Sequence, residues 1–313
     1  MPNSFLKSDI IGPMALERLR RQLILPRLVQ RMGINEFRGR RNDTVNVRVP
    51  TIATARDYTF RTRSGPIVLD ELEEQSIPVV LDQHVYHGYR LTDEELTLDV
   101  LNFGTQVLEP QVIAVAERLE AIIATAMVGA DYAHPGVDYV EDADSAGANF
   151  HKAAVDARKV LNDAHVPQTG RVIILGSSVE AAALKEEGFR RADQAGSTEA
   201  LRNAIIGNVA GFTVVGNVQS VPEDFALAFH SSAFVFGNVA PVVPDGVPQG
   251  QSVTESGLAM RWIRDYDPTI LSDRSVVSAF AGATSVEDGR DDHGELTEEN
   301  VRAVLINFTP AGS

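Results

Sequence analysis

Two strand-like patterns flank a polar, charged stretch of the chain that is poor in residues for a hydrophobic core. Thr44–Pro50 alternates valines with polar side chains, which predicts a strand, and Ser76–Leu91 is a second extended run. Residues 51–75 between them are polar and charged, with Gly65-Pro66 as a turn signal. Two strands around such an excursion predict a projecting β-hairpin. Because an isolated hairpin is only marginally stable in water, we expect this one to need a partner subunit.

Charge is distributed unevenly along the 313 residues. Of the formal net charge of −15, residues 1–41 contribute +6, from nine basic and three acidic side chains, which leaves −21 for the rest. A body this acidic repels nucleic acid, which argues against sequence-specific DNA binding. From Gly12 to about Met32, apolar residues recur at helical spacing, although Pro26 interrupts a single helix. This segment is predicted to be an arm that packs on something else.

A capped helix is predicted after the hairpin. Thr92 and Glu95 fit a capping box, and a long helical pattern extends from about Thr97 to Val128. Pro110 is expected to bend or restart this helix, and Gly129 to end it.

A second amphipathic helix is predicted at Phe150–Ala164, and beyond Pro167 the pattern changes to short strands with one helix, at Ser178–Glu187. The predicted strands and alternating regions are Arg171–Leu175, Phe212–Val215, Phe225–Phe229, Ala233–Phe236, Ser252–Val286 and Val301–Phe308. The expected fold class is therefore α+β. The single tryptophan, Trp262, is expected in a core or a subunit interface.

The strand, turn and helix around Gly176-Ser177-Ser178 form the most enzyme-like feature. Such a turn can hold a phosphate at the helix N-terminus, so a soluble α/β enzyme with a phosphorylated ligand is one alternative function. The turn lacks the other glycines of a dinucleotide loop and the Gly-Lys of a P-loop. Ser178 is therefore interpreted as an ordinary N-cap. The sequence shows no recognisable set of catalytic residues, and neither an enzyme activity nor a cofactor is predicted.

Two groups of residues invite a metal-binding interpretation. His84 and His87 are three residues apart, so on a strand they point to opposite faces and cannot chelate one ion. A later loop combines four acidic residues with a histidine: Asp288, Asp291, Asp292, His293 and Glu295. Its spacing does not match an EF-hand, and a solvated acidic loop is the favoured interpretation. Because the chain has no cysteine, thiolate sites are excluded, and no metal site is predicted.

No stretch approaches the roughly 18 consecutive apolar residues of a membrane span, and the N-terminal residues lack a secretory pattern. We therefore expect a chain that is made in the cytosol and has no membrane partner.

Six segments of the chain form a recognisable series. They are 42–47 (NDTVNV), 89–99 (YRLTDEELTLD), 107–112 (VLEPQV), 172–176 (VIILG), 206–212 (IGNVAGF) and 257–261 (GLAMR). In this order they resemble the coat fold of tailed-bacteriophage major capsid proteins, over residues from about 40 to 286. The same fold occurs in encapsulin nanocompartments and in the floor of herpesvirus capsids, so an encapsulin-type shell is a second alternative function.

The resemblance implies a division of the chain and a function. Residues 1–43 would be an N-terminal arm, 44–91 the extended E-loop hairpin with its flanking strands, and 92–165 the spine helix and peripheral domain. Residues 166–245 would be the axial domain, and 246–313 the return to the peripheral domain with a C-terminal strand. The implied function is that of a major capsid protein, which self-assembles into hexamers and pentamers of an icosahedral head shell around phage DNA.

Within this family, the sequence is most similar to coat proteins that are assembled with a separate scaffolding protein. The implied partners are other copies of the chain, the scaffolding protein, a portal protein, packaged double-stranded DNA without sequence specificity and, optionally, a decoration protein. The implied location is the virion shell, made and assembled in the host cytoplasm. The lysines are Lys7, Lys152, Lys159 and Lys185. The E-loop thus lacks the nucleophile that cross-links subunits in some relatives, and we expect no covalent chainmail.

Two groups of charged residues are the candidate contact residues. The hairpin has basic residues on one limb and acidic residues near the other: Arg56, Arg61, Arg63, Asp70, Glu71, Glu73 and Glu74. We expect them to form ion pairs between adjacent capsomers, the alternative being that they only solvate a loop. The arm arginines are Arg18, Arg20, Arg21 and Arg27. We expect these to contact neighbouring subunits, with scaffold or DNA contacts as the alternatives.

Overall fold

A computed structural model of the chain shows two β-sheets that share one core with a long helix. It describes residues 23–37, 44–49, 69, 75–96, 103–141, 149–186, 205–216, 218–255, 258–290, 296–297 and 299–311. The strands in these ranges are β1 (Gln30–Met32), β2 (Thr44–Val49), β3 (Gln75–Val80), β4 (Gln83–Thr92), β5 (Val137–Val140), β6 (Arg171–Leu175), β7 (Ile205–Val209), β8 (Phe212–Val215), β9 (Ala226–His230), β10 (Phe234–Val239), β11 (Gln249–Glu255), β12 (Leu258–Asp267), β13 (Ser272–Ser285), β14 (Gly289–Arg290), β15 (Leu296–Thr297) and β16 (Ala303–Thr309).

Three longer helices accompany the strands: α1 (Glu109–Val128), α2 (Phe150–Asp163) and α3 (Ser177–Lys185). Short helical turns lie at Leu25–Arg27, Ile34–Phe37, Gly104–Leu108 and Ser231–Ala233. The mixture of helices with mostly antiparallel strands confirms the predicted α+β class.

The long predicted helix is described from Phe103 onward, while its predicted first residues, 97–102, lie outside the described residues. A π-helical turn at Gly104–Leu108 leads into α1, in which Pro110 occupies the first turn. A proline is tolerated there because the first amides of a helix have no partner within the helix. Pro110 therefore lies where the π-helical turn changes into the α-helix, without the break in the backbone that a restart implies, and Gly129 ends the helix as expected.

The capping box at the end of β4 is confirmed. The amide of Thr92 donates to Oε2 of Glu95 at 2.8 Å, and the amide of Glu95 donates to Oγ1 of Thr92 at 3.3 Å. Because these hydrogen bonds favour the carboxylate, they lower the pKa of Glu95. The reciprocal bonds fix the direction in which the chain leaves the first sheet.

β13 is the central strand of the first sheet. β4 pairs along one of its edges, while β12 and then β10 pair along the other. β11 extends the sheet beyond β12, and β1 of the arm pairs parallel with β10. One face of this sheet packs against α1, where Trp262 is 1% exposed. The expectation that Trp262 lies in a core is thus confirmed.

The second sheet has the strand order β5-β16-β9-β6-β8-β7. Its central strand β6 is buried along its whole length, which explains why its sequence is a continuous apolar run after Arg171. Ile173 and Leu175 face α2 and α3, whereas Val172 and Ile174 face the core that contains α1. The C-terminal strand β16, predicted from its apolar sequence, lies between β5 and β9.

Candidate assembly surfaces

β2 and β3 form the root of the predicted hairpin. They pair antiparallel, from Thr44 opposite Val80 to Val49 opposite Gln75, so residues 50–74 connect their far ends. The root shares a small core of buried residues with the arm and the first sheet: Phe37, Val45, Ile77, Val79, Val235, Val239 and Val286. This small core lies on the face of the first sheet opposite α1 and fixes the root to the body.

The chain between β3 and β4 turns at Leu81 and Asp82, directly on the first sheet. It lies there on Gly237 of β10 and Gly282 of β13, which are directly opposite each other in the register. A Cβ on Gly237 would lie 2.7 Å from Cζ of Phe37, and a Cβ on Gly282 would collide with the carbonyl oxygen of Val80. This glycine pair, called the glycine floor below, determines where the hairpin root sits. The predicted single run Ser76–Leu91 is therefore wrong in one respect, because this turn divides it into two strands.

The predicted hairpin contacts lie outside the described residues. These are Arg56, Arg61, Arg63, Asp70, Glu71, Glu73 and Glu74. Of the arm arginines, Arg18, Arg20 and Arg21 also lie outside them. Arg27 is described and exposed, and its charge acts on Glu120 of α1. The contact roles of all these residues stay predictions.

Glu120 anchors the arm to α1 and is a residue that the sequence analysis missed. Its side chain points into the apolar core and accepts hydrogen bonds from the amides of Ile24 and Leu25, the latter at 3.1 Å. Ser220, in a loop of the second sheet, donates to the other carboxylate oxygen at 3.4 Å. Burial raises the pKa of Glu120, and the hydrogen bonds from the arm oppose that shift in part. The sequence signal that could have identified Glu120 is its position directly after Leu119, within a helical pattern of apolar residues.

Gln111 makes a second buried polar contact between α1 and the first sheet. Its Nε2 donates to the carbonyl oxygen of Ser275 at 2.6 Å and to that of His87 at 3.4 Å, so it bridges β13 and β4. The hydroxyl of Ser275 donates to Oε1 of Gln111 at 2.8 Å and accepts from Nε1 of Trp262 at 3.0 Å. Buried polar groups that are satisfied in this way fix the position of α1 on the sheet.

A polar network ties the start of β16 to the first sheet. Asn300 donates to the carbonyl of Ala233 at 2.8 Å and to the hydroxyl of Ser285 at 2.9 Å. Arg302 pairs with Asp288 at 2.5 Å, where the Asp288 side chain is 10% exposed. The expectation of a solvated acidic loop is therefore wrong for Asp288, because this carboxylate neutralises a partly buried arginine. The other members of that predicted loop, residues 291–295, lie outside the described residues.

The turn at Gly176 is closed to a phosphate, which removes the observation behind the enzyme alternative. Helix α3 begins after Gly176, and Ser178 is inside the helix, so the N-cap prediction is wrong. The amides of Ser178 and Val179 donate to the carbonyl oxygen of Glu223, at 3.0 and 3.4 Å. A Cβ on Gly176 would overlap the carbonyl oxygen of Pro222. Protein backbone therefore occupies the place where a phosphate would accept these hydrogen bonds.

His84 and His87 both lie on β4. Within the described ranges, no group of three or more potential ligand side chains could hold a metal ion. Over the same part of the chain, no helix combines the length and apolar character needed to cross a membrane.

A comparison with known protein families decides what these surfaces belong to. Residues 75–287, more than half of the chain, match the family described as phage capsid protein. The chain belongs to the phage capsid protein family. This confirms the resemblance seen in the sequence. Among curated proteins, none is significantly similar to this capsid protein.

Solved capsids share the fold of the capsid protein. A chain from Mycobacterium phage Che8 is 20% identical with a TM-score of 0.59, and the match covers 91% of each chain. The capsid of Ralstonia phage GP4 is 11% identical with a TM-score of 0.59, covering 89% of this chain and 86% of that one. The capsid of a native GTA particle is 13% identical with a TM-score of 0.56, covering 92% and 90%.

These findings assign a structural role. The chain is a major capsid protein, a component of a virion shell that is built by self-assembly. The hairpin root and the arm anchor are therefore parts of a shell-forming protein.

Proposed function

We propose that copies of this capsid protein form hexamers and pentamers that close into the icosahedral head of a tailed phage. The observation that carries the proposal is the hairpin root, which is packed on the body, together with the polar and charged sequence of residues 51–75 that it carries. A rigid root with a charged excursion suits a segment that reaches a neighbouring subunit. The membership of the phage capsid family supports the same function.

Contacts between capsomers are proposed to be ion pairs of the hairpin. The basic side chains of Arg56, Arg61 and Arg63 would meet the acidic residues 70–74 of a neighbouring copy. An exposed ion pair contributes only about 0–1 kcal/mol. Repetition around a closed lattice raises the effective concentration of each contact, so weak pairs suffice for a stable shell and still allow misplaced subunits to dissociate.

The remaining partners follow from the same function. A separate scaffolding protein and a portal protein would take part in assembly in the host cytoplasm, and double-stranded DNA would fill the finished shell. The net charge of −15 suits a wall that holds DNA without sequence-specific contacts. Particles isolated from the host would contain DNA, whereas an encapsulin-type shell would contain an enzyme cargo.

Charge reversal in the hairpin tests the proposed contact. Purified wild-type chain should form shells, tubes or capsomer rings in negative-stain electron microscopy above a threshold concentration that light scattering measures. The variant with Arg61→Glu and Arg63→Glu should raise that threshold by about tenfold, since two repeated ion pairs become repulsive. Adding Glu73→Arg and Glu74→Arg to the same chain should lower the threshold again.

A matched double reversal elsewhere controls for net charge. Lys152→Glu with Lys159→Glu changes the same number of charges on the exposed side of α2, where the Lys159 side chain is 75% exposed. This variant should assemble like the wild type. Equal thresholds for all variants would disprove the hairpin ion pairs. A wild-type chain that stays a monomer at high concentration, both with a crowding agent and with its scaffolding protein, would contradict self-assembly itself.

A further inference from the structure

A row of basic residues crosses one end of the second sheet. Arg171, the first residue of β6, is paired with His230, the last residue of β9. The amide of His230 donates to the carbonyl oxygen of Arg302, which directly precedes β16. Side chains alternate along a strand, so Arg171 shares the face of Ile173, which packs against α2 and α3. The side chain of Arg171 therefore points to the side of the sheet that α2 covers.

Two members of this row are satisfied within the chain. Arg302 pairs with Asp288 at 2.5 Å. The ring of His230 uses both nitrogens, since Nε2 donates to the carbonyl oxygen of Thr169 at 2.9 Å and Nδ1 accepts from the amide of Ser232 at 3.2 Å. A ring nitrogen that accepts a hydrogen bond carries no proton, and burial lowers the pKa of His230 in the same sense. Neither residue contributes an unpaired charge.

Arg171 carries a buried positive charge that no carboxylate of the described residues neutralises. The residue is 3% exposed. Its Nε donates to the carbonyl oxygen of Pro167 at 2.9 Å, and its Nη2 donates to that of Val166 at 2.6 Å, so both acceptors are uncharged. Nη1 makes no hydrogen bond to a described residue and is not one of the buried atoms that lack a partner, so it reaches solvent. An arginine stays protonated in a protein, and this charge therefore persists.

Arg158 of α2 brings a second guanidinium group to the same place. Its Nη1 donates to the carbonyl oxygen of Ala210 at 3.0 Å and lies beside Gly211, in the turn between β7 and β8. Directly after this turn, β8 pairs parallel with the first residues of β6. Burial, and then the charge of Arg158, lower the pKa of Arg171. The two positive charges are therefore close enough to repel each other.

An anion would relieve this arrangement. A buried charge is costly unless it is paired, and a second charge of the same sign adds to the cost. Nη1 of Arg171 and both Nε and Nη2 of Arg158 make no hydrogen bond to a described residue, so they remain available as donors. One guanidinium fork already occupies the two oxygens of a carboxylate, whereas a phosphate group has acceptor oxygens on several sides. Two arginines that approach from a helix and from a strand suit a phosphate group.

We propose that Arg158 and Arg171 together form a binding site for a phosphate group, either of free phosphate or of the DNA backbone. The bound group would neutralise both guanidinium groups and would connect α2 with the start of β6. All the residues of the site belong to one chain. The site therefore does not depend on the proposed self-assembly, and it can be tested on the unassembled protein.

Melting of the unassembled full-length chain in phosphate tests the site. At constant pH and ionic strength, replacing chloride by about 10 mM phosphate should raise the melting temperature by about 3 °C, because a ligand that binds only the folded chain stabilises it. Arg158→Gln should reduce the rise to less than about 1 °C, and Arg158→Lys, which keeps the charge and loses the fork, should give an intermediate rise. Arg118→Gln is the matched control and should keep the full rise, because Arg118 is exposed on α1 and donates to the amide oxygen of Gln83 at 3.1 Å.

The control variant separates a site from the general stabilisation of proteins by phosphate, which is excluded from protein surfaces. No rise in the wild type, or equal rises in the wild type, Arg158→Gln and Arg118→Gln, would disprove the site and would leave the proposed self-assembly untouched.

A short double-stranded DNA oligomer identifies the source of the phosphate group. If the oligomer binds Arg158→Gln roughly fivefold more weakly than it binds the wild type and Arg118→Gln, the site takes a phosphate group of DNA. If phosphate stabilises the chain through Arg158 and the oligomer does not distinguish the variants, the site takes free phosphate. Both results support the site, and neither requires that the chain forms particles.

Discussion

At the scale of single residues, the carboxylate of Glu120 is destabilised by burial and stabilised by the hydrogen bonds that it accepts. A carboxylate in an apolar core loses its hydration, which raises its pKa and destabilises the charged form. The amides of Ile24 and Leu25, at the start of a short helical turn, replace part of that hydration, and the hydroxyl of Ser220 adds to it. The residue thereby ties the arm, α1 and a loop of the second sheet together at one point.

The raised pKa of Glu120 predicts a pH dependence of stability. A carboxyl group whose pKa is higher in the folded state binds more protons there, so the free energy of unfolding falls as the pH rises through the folded pKa. Glu120→Gln keeps an acceptor for both amides and carries no charge. In urea denaturation, the variant should resemble the wild type near pH 4.5 and should be the more stable protein at pH 8.

Glu117→Gln is the control for this experiment, because Glu117 is exposed on the same helix. As a substitution of an exposed side chain, it should change the free energy of unfolding by less than about 0.5 kcal/mol at both pH values. The role assigned to Glu120 would be refuted by a Glu120→Gln variant that is less stable than the wild type by the same amount at every pH, since its effect would then not come from the charge.

At the scale of elements, the glycine floor explains how a hairpin with little core of its own is held at a fixed place. The corner between β3 and β4 contacts the backbone of β13 directly, and Phe37 of the arm covers Gly237 next to it. Backbone that approaches this closely leaves no room for a side chain. The hairpin root and the arm are therefore positioned by the same two residues of the first sheet.

Gly282→Ala should displace this corner. The new methyl group would overlap the carbonyl oxygen of Val80, which cannot move without shifting the backbone between β3 and β4. Overpacking of this kind costs about 1–3 kcal/mol, and we expect a loss near the upper end in urea denaturation. Gly246→Ala is the control, because a Cβ there meets nothing within 4 Å. Equal stability of both variants would show that the corner is not held by the floor.

The elements also show how far the sequence could predict this protein. Alternating strands, the capping box at Thr92 and the helix end at Gly129 depend on neighbouring residues, so the sequence could predict them. The division between β3 and β4 depends on Gly237 and Gly282, far along the chain, and no local pattern reveals it. Ser178 was misassigned for the same reason, because the carbonyl of Glu223 takes the amides that an N-cap would bind. The hairpin charges stay predictions because their partners would belong to another copy.

At the scale of the whole molecule, charge limits how copies can approach. The arm carries +6 within residues 1–41, and the rest of the chain carries −21. Opposite charges on the two parts favour contact between the arm of one copy and the acidic body of another, and weakly screened attraction would guide that contact. The arm from Leu23 onward is already packed on its own body. The predicted contact therefore concerns residues 1–22, which lie outside the described residues and carry a net charge of +2 from four basic and two acidic side chains.

Deletion of residues 2–22 tests the first part of the arm separately from the part that is anchored at Glu120. The body should keep its urea midpoint, since the anchor at Glu120 and the packing of Leu23 and Leu25 remain. The threshold for assembly should rise several-fold if this segment contacts neighbouring subunits. A full-length variant with Arg18→Gln, Arg20→Gln and Arg21→Gln should reproduce much of that rise, because it removes the charges and keeps the chain. If the truncated chain assembles normally alone and fails only to bind its scaffolding protein, the arm contacts the scaffold instead.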